Sequence, residues 1–183
     1  MGRGRSTAAG VLIRKVGLAP IARADARVVI FGSLPGDASL AASQYYAHPR
    51  NQFWQLVGKT IGVDLAKQSY PERLETLQDA GIALWDVVSE AHRPGSLDQK
   101  IRDAQVNDLR AIVGQLPQLR AIAFNGQKAF VLARSMIEGL PVDRITLPSS
   151  SPAYTLAFDT KQVAWSALAA YLEPSEQVSP VTG

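Results

Sequence analysis

RVVIFGSLPGD, residues 27–37, decides the fold class. Its apolar core, Val28 to Phe31, lies between Asp25 and the turn formers Gly32, Pro35 and Gly36, which is the pattern of a strand buried on both faces. Such strands belong to parallel sheets, whose crossovers are helices. Working outward, Phe53, Leu56, Val57, Thr60 and Ile61 recur at helical spacing up to Gly62, and Pro71 opens a second helix that Gly81 closes, with Leu74 and Leu77 inward. IALWDVV (82–88) reads as a second strand. A helix carrying Leu109, Ile112, Val113 and Leu116 ends at Pro117, and AIAFNG (121–126) gives a third strand that runs into a helix with Phe130, Ala133 and Ile137 on one face. Residues 144–147 form a short fourth strand. The last helix is expected from Asp159 to Leu172, with Val163, Ala167, Leu168 and Tyr171 inward. This alternation predicts an α/β domain with a mainly parallel four-stranded sheet, helices on both faces and right-handed crossovers. Ligands then bind at the carboxyl ends of the strands, where the loops 33–51, 125–127 and 148–154 fall.

The 183 residues fit one domain over 20–173, preceded by a basic arm over 1–19, free to move, and followed by a polar tail over 174–183. With no cysteine, the chain has no disulfide, thiolate metal site or cysteine nucleophile, and two histidines are too few for a histidine-rich metal site. We therefore expect no metal and no cofactor. No apolar run approaches the roughly 20 residues that span a bilayer, and the N-terminus lacks the features of a secretion signal, so no membrane partner is expected and the cytoplasm is the default location. Six of the 19 basic residues lie in the first 27, against Asp25 alone, while the rest of the chain is nearly neutral. That distribution favours a partner held by local contacts, helped by a basic arm, over one held by a broad charged face; the other reading of the arm is a solvated tail.

Four segments could carry chemistry. GSLPG (32–36) is either a tight turn or a place where backbone meets a ligand; it matches no dinucleotide, phosphate or serine-hydrolase glycine motif. YYAHPRNQFW (45–54) packs stacking faces, an amide and a cation into ten residues, as a base pocket requires, although His48 and Asn51 could instead cap the next helix while the aromatics pack inside. Asn125, ending a strand, offers a donor and an acceptor to the edge of a base, or makes an Asn-Gly turn. PSSSPAY (148–154) could hold phosphates with hydroxyls and N–H groups, or be a surface loop. Ser33, His48 and an aspartate could also compose an esterase-like triad, without the strained elbow such enzymes use.

Together GSLPGDASL, YYAHPRNQFW, HRPGSLDQKI, AFNGQKAF and LPSSSPAY resemble the uracil-DNA glycosylase superfamily over about residues 20–172, and most closely its hypoxanthine-DNA (deoxyinosine) glycosylase branch. The resemblance implies a three-layer α/β/α sandwich, a monomer without metal, and hydrolytic removal of a deaminated base flipped out of DNA: hypoxanthine first, with uracil, xanthine or a G:U or G:T mismatch as alternatives. It implies a base pocket lined by Gly32, Ser33, Leu34, Pro35, Tyr46 and Phe53, with Tyr46 stacking on the base and Asn125 bonding its edge. Contacts to DNA would come from Arg50 and from Ser149, Ser150, Ser151, Pro152, Ala153 and Tyr154, with Tyr154 as the wedge. The residues that most of the superfamily uses for catalysis would fall at Leu34 and near Ser149, which cannot do that work. In the hypoxanthine branch the HPRN asparagine takes a catalytic role, which maps to Asn51; Asp37 and His48 are further candidates for activating water. Loss of both usual groups also fits a catalytically silent DNA-binding relative.

Overall fold

The computed structural model describes residues 13–173, so residues 1–12 of the expected arm and the tail 174–183 lie outside the described residues. Along the chain β1 (Arg14–Val16) precedes β2 (Val28–Gly32), α1 (Asp37–Ala42), α2 (Phe53–Ile61), α3 (Tyr70–Asp79), β3 (Ile82–Asp86) and β4 (Val88–His92). Then come β5 (Arg102–Val106), α4 (Leu109–Gly114), β6 (Ala121–Asn125), α5 (Gln127–Ala133), β7 (Asp143–Leu147), α6 (Phe158–Trp165) and α7 (Ala169–Leu172).

The main sheet has the order β3-β2-β6-β7, all parallel. Because side chains alternate along a strand, Val28 and Ile30 of β2 face one way and join Phe53, Leu56, Val57, Leu77, Trp165 and Leu168; Val29 and Phe31 face the other and join Leu109, Ile112, Ala129 and Ile137. The sheet is thus buried between two helical layers, the three-layer sandwich expected. Each large side chain so buried adds roughly 1.5–3 kcal/mol by leaving water.

Three local readings change. The segment 33–51 is not continuous loop: Asp37–Ala42 winds into α1, whose first residue is acidic, the charge that a helix start favours. IALWDVV is not one strand. It splits at Val87, whose side chain stays in the core while β4 leaves for a second, antiparallel sheet of order β1-β4-β5. That sheet draws β1 from within the residues read as a basic arm. In the last helical stretch Val163 points to solvent, at 78% exposure, and Ala167 is exposed too, whereas Lys161, Trp165 and Leu168 point inward. Those three recur at i, i+4 and i+7, so the helical period holds; the inward stripe includes a lysine, and a reading that seeks apolar residues picks the wrong face.

None of the described helices is long and apolar enough to cross a membrane.

Candidate active site

The carboxyl ends of the four parallel strands, at Gly32, Asp86, Asn125 and Leu147, open into one cleft of about 900 Å³. Five segments wall it: the turn after β2 with the start of α1, residues 45–51 before α2, residues 96–99 of the β4–β5 connection, residues 125–128 after β6, and the loop after β7. Of the expected site residues, all but Phe53 line it.

Asp86 forms the floor, and the sequence reading passed over it. It is 4% exposed, and its Oδ2 has no hydrogen-bond partner among the described residues. Burial, with the like charge of Asp98 and against the attraction of Arg93, pushes its carboxyl up to about 7. A Cβ on Gly32 would stand 2.4 Å from Asp86 Oδ1, so glycine is what lets β2 pass this carboxyl. The signal was a single acid in an otherwise apolar run.

Tyr46 forms a side wall. It stacks on Phe53 with ring centroids 3.8 Å apart and planes 12° from parallel. Phe53 is therefore the fully buried support of the wall and does not line the cleft. The Tyr46 hydroxyl is buried close to Gly32, Asp86 and the Asn125 amide without a regular hydrogen bond among the described residues, and burial plus the nearby Asp86 charge raises its pKa against the opposing influence of that amide. Tyr46, which lines the cleft, has φ of 53°, the left-handed conformation uncommon for a residue with a side chain.

Both amide atoms of Asn125 are engaged. Its Oδ1 accepts from the Ser150 N–H at 2.9 Å and its Nδ2 donates to Ser150 Oγ at 2.8 Å. Ser150 O in turn accepts from the Gln52 N–H, and Ser150 is completely buried. So Asn125 holds the serine-proline loop, and Ser150 is an internal strut instead of a DNA contact. The Trp165 indole donates to Pro148 O, and the buried Lys161 ammonium donates to Tyr154 O and Gln52 Oε1, which pins the loop further. Gly126, with φ of +96°, lies where a Cβ would press on Ser149 Cβ at 3.2 Å. Ser149 Oγ accepts from the Ser151 N–H and Ser151 Oγ from the Ala153 N–H, leaving Pro152, Ala153 and Tyr154 exposed at the tip.

Asn51 is half committed: its Oδ1 accepts from the Phe53 N–H at 3.0 Å, at the start of α2, leaving its NH₂ as the free group. His48 Nδ1 accepts from the Arg50 N–H at 3.1 Å, while Arg50 is exposed at the rim. Asn51 thus satisfies the first N–H of α2 from its place in the cleft, whereas the His48 bond stays within the loop before the helix, so His48 does not cap it. Asp37 is at the rim with its carboxylate paired to Lys15, and its N–H donates to Ser96 Oγ. Ser33 lies near the Asp98 carboxyl, Leu34 packs with Val88, Ala91 and Ile101, and among the described residues no hydrogen bond joins Ser33 to His48, so they form no nucleophile-base pair. Among the described residues no group of three or more His, Asp or Glu could hold a metal ion.

This arrangement has relatives. The family model described as Uracil DNA glycosylase superfamily matches residues 19–172. A protein of Methanosarcina acetivorans named hypoxanthine DNA glycosylase is 38% identical over 154 residues, 84% of this chain and 97% of that one. One of the same name from Methanosarcina barkeri is 35% identical over 84% of this chain and 96% of its own. A solution NMR structure from M. acetivorans, described as a uracil DNA glycosylase candidate, superposes with a TM-score of 0.80 at 37% identity, covering 88% of this chain and all of that one. The fold is thus shared with a solved relative, and the chain belongs to the uracil DNA glycosylase superfamily.

Proposed function

We propose that this chain hydrolyses the N-glycosidic bond of hypoxanthine flipped out of DNA, the first step of base excision repair, as the names of its relatives suggest. The observation that carries the reading is Asp86: a carboxyl buried at the cleft floor, with one oxygen unpartnered, beside the ring of Tyr46. With a pKa near 7 the group can be neutral, and a neutral carboxyl offers one donor and one acceptor side by side. That pair complements the C=O and N–H edge of hypoxanthine, an edge that uracil and xanthine share. Deaminated bases are mispaired, so flipping them costs the least.

In the reaction the C1′–N bond breaks, the base departs with the electron pair, and water oxygen bonds to C1′ while its proton passes to base or solvent. The chain need only stabilise the charges and place the water. Asp86 and main-chain N–H groups of the 33–36 turn hold the departing base, Tyr46 stacks on it, and the free NH₂ of Asn51 contacts base or water. Arg50, Ser149, Ser151, Pro152 and Ala153 meet the DNA backbone, and Tyr154 is the wedge. The enzyme acts as a monomer in the cytoplasm, without metal or cofactor.

The test is single-turnover excision from duplexes carrying deoxyinosine, deoxyuridine or deoxyxanthosine, developed with alkali. Strand breaks at deoxyinosine under enzyme excess are expected; a preference for uracil in G:U would reassign the substrate. Intact strands throughout would leave only the silent DNA-binding relative.

A further inference from the structure

The segment HRPGSLDQKI supplies the outer wall of the cleft, yet the mechanism above uses none of its side chains. Its Arg93 is the longest polar side chain that the fold buries completely. The guanidinium donates from Nη1 to Leu34 O at 3.0 Å, from Nη2 to Pro35 O, and from Nε to Gly95 O at 3.1 Å, with Asp98 Oδ1 at 3.5 Å.

The neighbouring carbonyls are taken as well. Gly32 O accepts from the Val87 N–H, Ser33 O from the Val88 N–H and Gly36 O from the Leu40 N–H. Five consecutive carbonyl oxygens, from Gly32 to Gly36, are therefore tied into the protein, two of them by Arg93 alone. Pro35 has no N–H. Those of Ser33, Leu34 and Gly36 have no partner among the described residues, and all three residues line the cleft. Consecutive N–H groups with their carbonyls held elsewhere form a cradle for negative charge.

We infer that Arg93 is a positioning residue for base departure: its planar fork holds two successive carbonyls of the turn away from the cleft, so that the turn presents only donors to the base as it becomes an anion. A lysine cannot do this, since one ammonium does not match the fork. The inference rests on the reading that a base leaves in this cleft.

The test compares two substrates in single turnover: deoxyinosine, and its 8-aza analogue, whose more acidic base departs more easily and needs less stabilisation. For Arg93→Met we expect excision of hypoxanthine to fall about 100-fold, and excision of the 8-aza base at least several-fold less, with Arg93→Lys between Met and wild type on both. Ethylguanidinium added to Arg93→Ala should restore part of the lost rate. Loss of the same size on both substrates means a merely structural role and overturns the inference, as does an Arg93→Met rate within threefold of wild type. Should Arg93→Met not fold, the Lys variant carries the comparison, and equal loss on both substrates overturns the inference there too. A wild-type protein that releases neither base refutes the proposed function instead.

Discussion

Asp86 and Asn125 end the two strands that flank β2, one on either side, and the fold treats them oppositely. Both amide atoms of Asn125 are bound to Ser150, 25 residues on; Asp86 Oδ2 has no hydrogen-bond partner among the described residues. A buried polar group left without a partner costs about 1–3 kcal/mol, and more when it can carry charge. A fold that satisfies one strand end and not its counterpart keeps that cost where a ligand can remove it. Position at a strand end is therefore a weak guide to chemistry. The presence of unspent hydrogen-bonding capacity is a better one.

Substitutions can break this contrast. The largest effect should come from Asp86→Ala, which removes the floor group: single-turnover excision of hypoxanthine is expected to fall about 1000-fold, ~4 kcal/mol, in a protein that still folds. A loss under tenfold would show that the unpartnered carboxyl is not the base-holding group. Asn51, with one atom committed and one free, should be intermediate. Asn51→Ala is expected to lose about 100-fold, and a rate within tenfold of wild type removes Asn51 from the mechanism.

Asn125→Ala should act on stability first. With the polar groups of Ser150 stranded in the interior, about 2 kcal/mol should be lost, and thermal melting should fall by roughly 4–8 °C. An unchanged melting point combined with a large loss of excision would reverse the assignment and make Asn125 the base reader after all.

The pH dependence of folding sharpens the contrast from the other side. Asp86 is raised to about 7 by burial in the folded chain, with Asp98 raising it further and Arg93 opposing, while an unfolded aspartate titrates near 4. Between those values the folded form binds the extra proton. Asp86 thus favours folding at low pH, and that contribution falls by a few kcal/mol as pH rises through 7. Asp86→Asn, which cannot ionise, should melt higher than wild type at pH 8 and differ little at pH 4; calorimetry at both values checks the sign. The smallest effect concerns the loop that Asn125 holds. Tyr154→Ala should slow excision from duplex about tenfold and leave single-stranded substrate nearly untouched, since only the duplex needs a wedge.

Much of the fold was legible because buried strands announce themselves locally. Val28–Phe31 and Ala121–Phe124 are unbroken apolar runs, and the three loops at strand ends followed from them. The second sheet was not legible: β5, Arg102–Val106, is mostly exposed and polar, so no hydrophobic pattern marks it. The site was half legible. YYAHPRNQFW put Tyr46 and Asn51 in the cleft, but nothing in the letters marks the division between Tyr46 facing it and Phe53 behind, or the left-handed backbone of Tyr46. What Asn125 does is set by Ser150, and what holds Leu34 and Pro35 is set by Arg93, 59 and 58 residues away. Such pairings are made by topology, and local spacing cannot reveal them.

The tight passage of Gly32 beside Asp86 also constrains redesign. With room for no side-chain carbon between them, neither position can be enlarged while the other stays as it is. An engineer seeking to retarget the cleft toward bulkier lesions would have to leave that crossing alone and gain space from the Tyr46 wall.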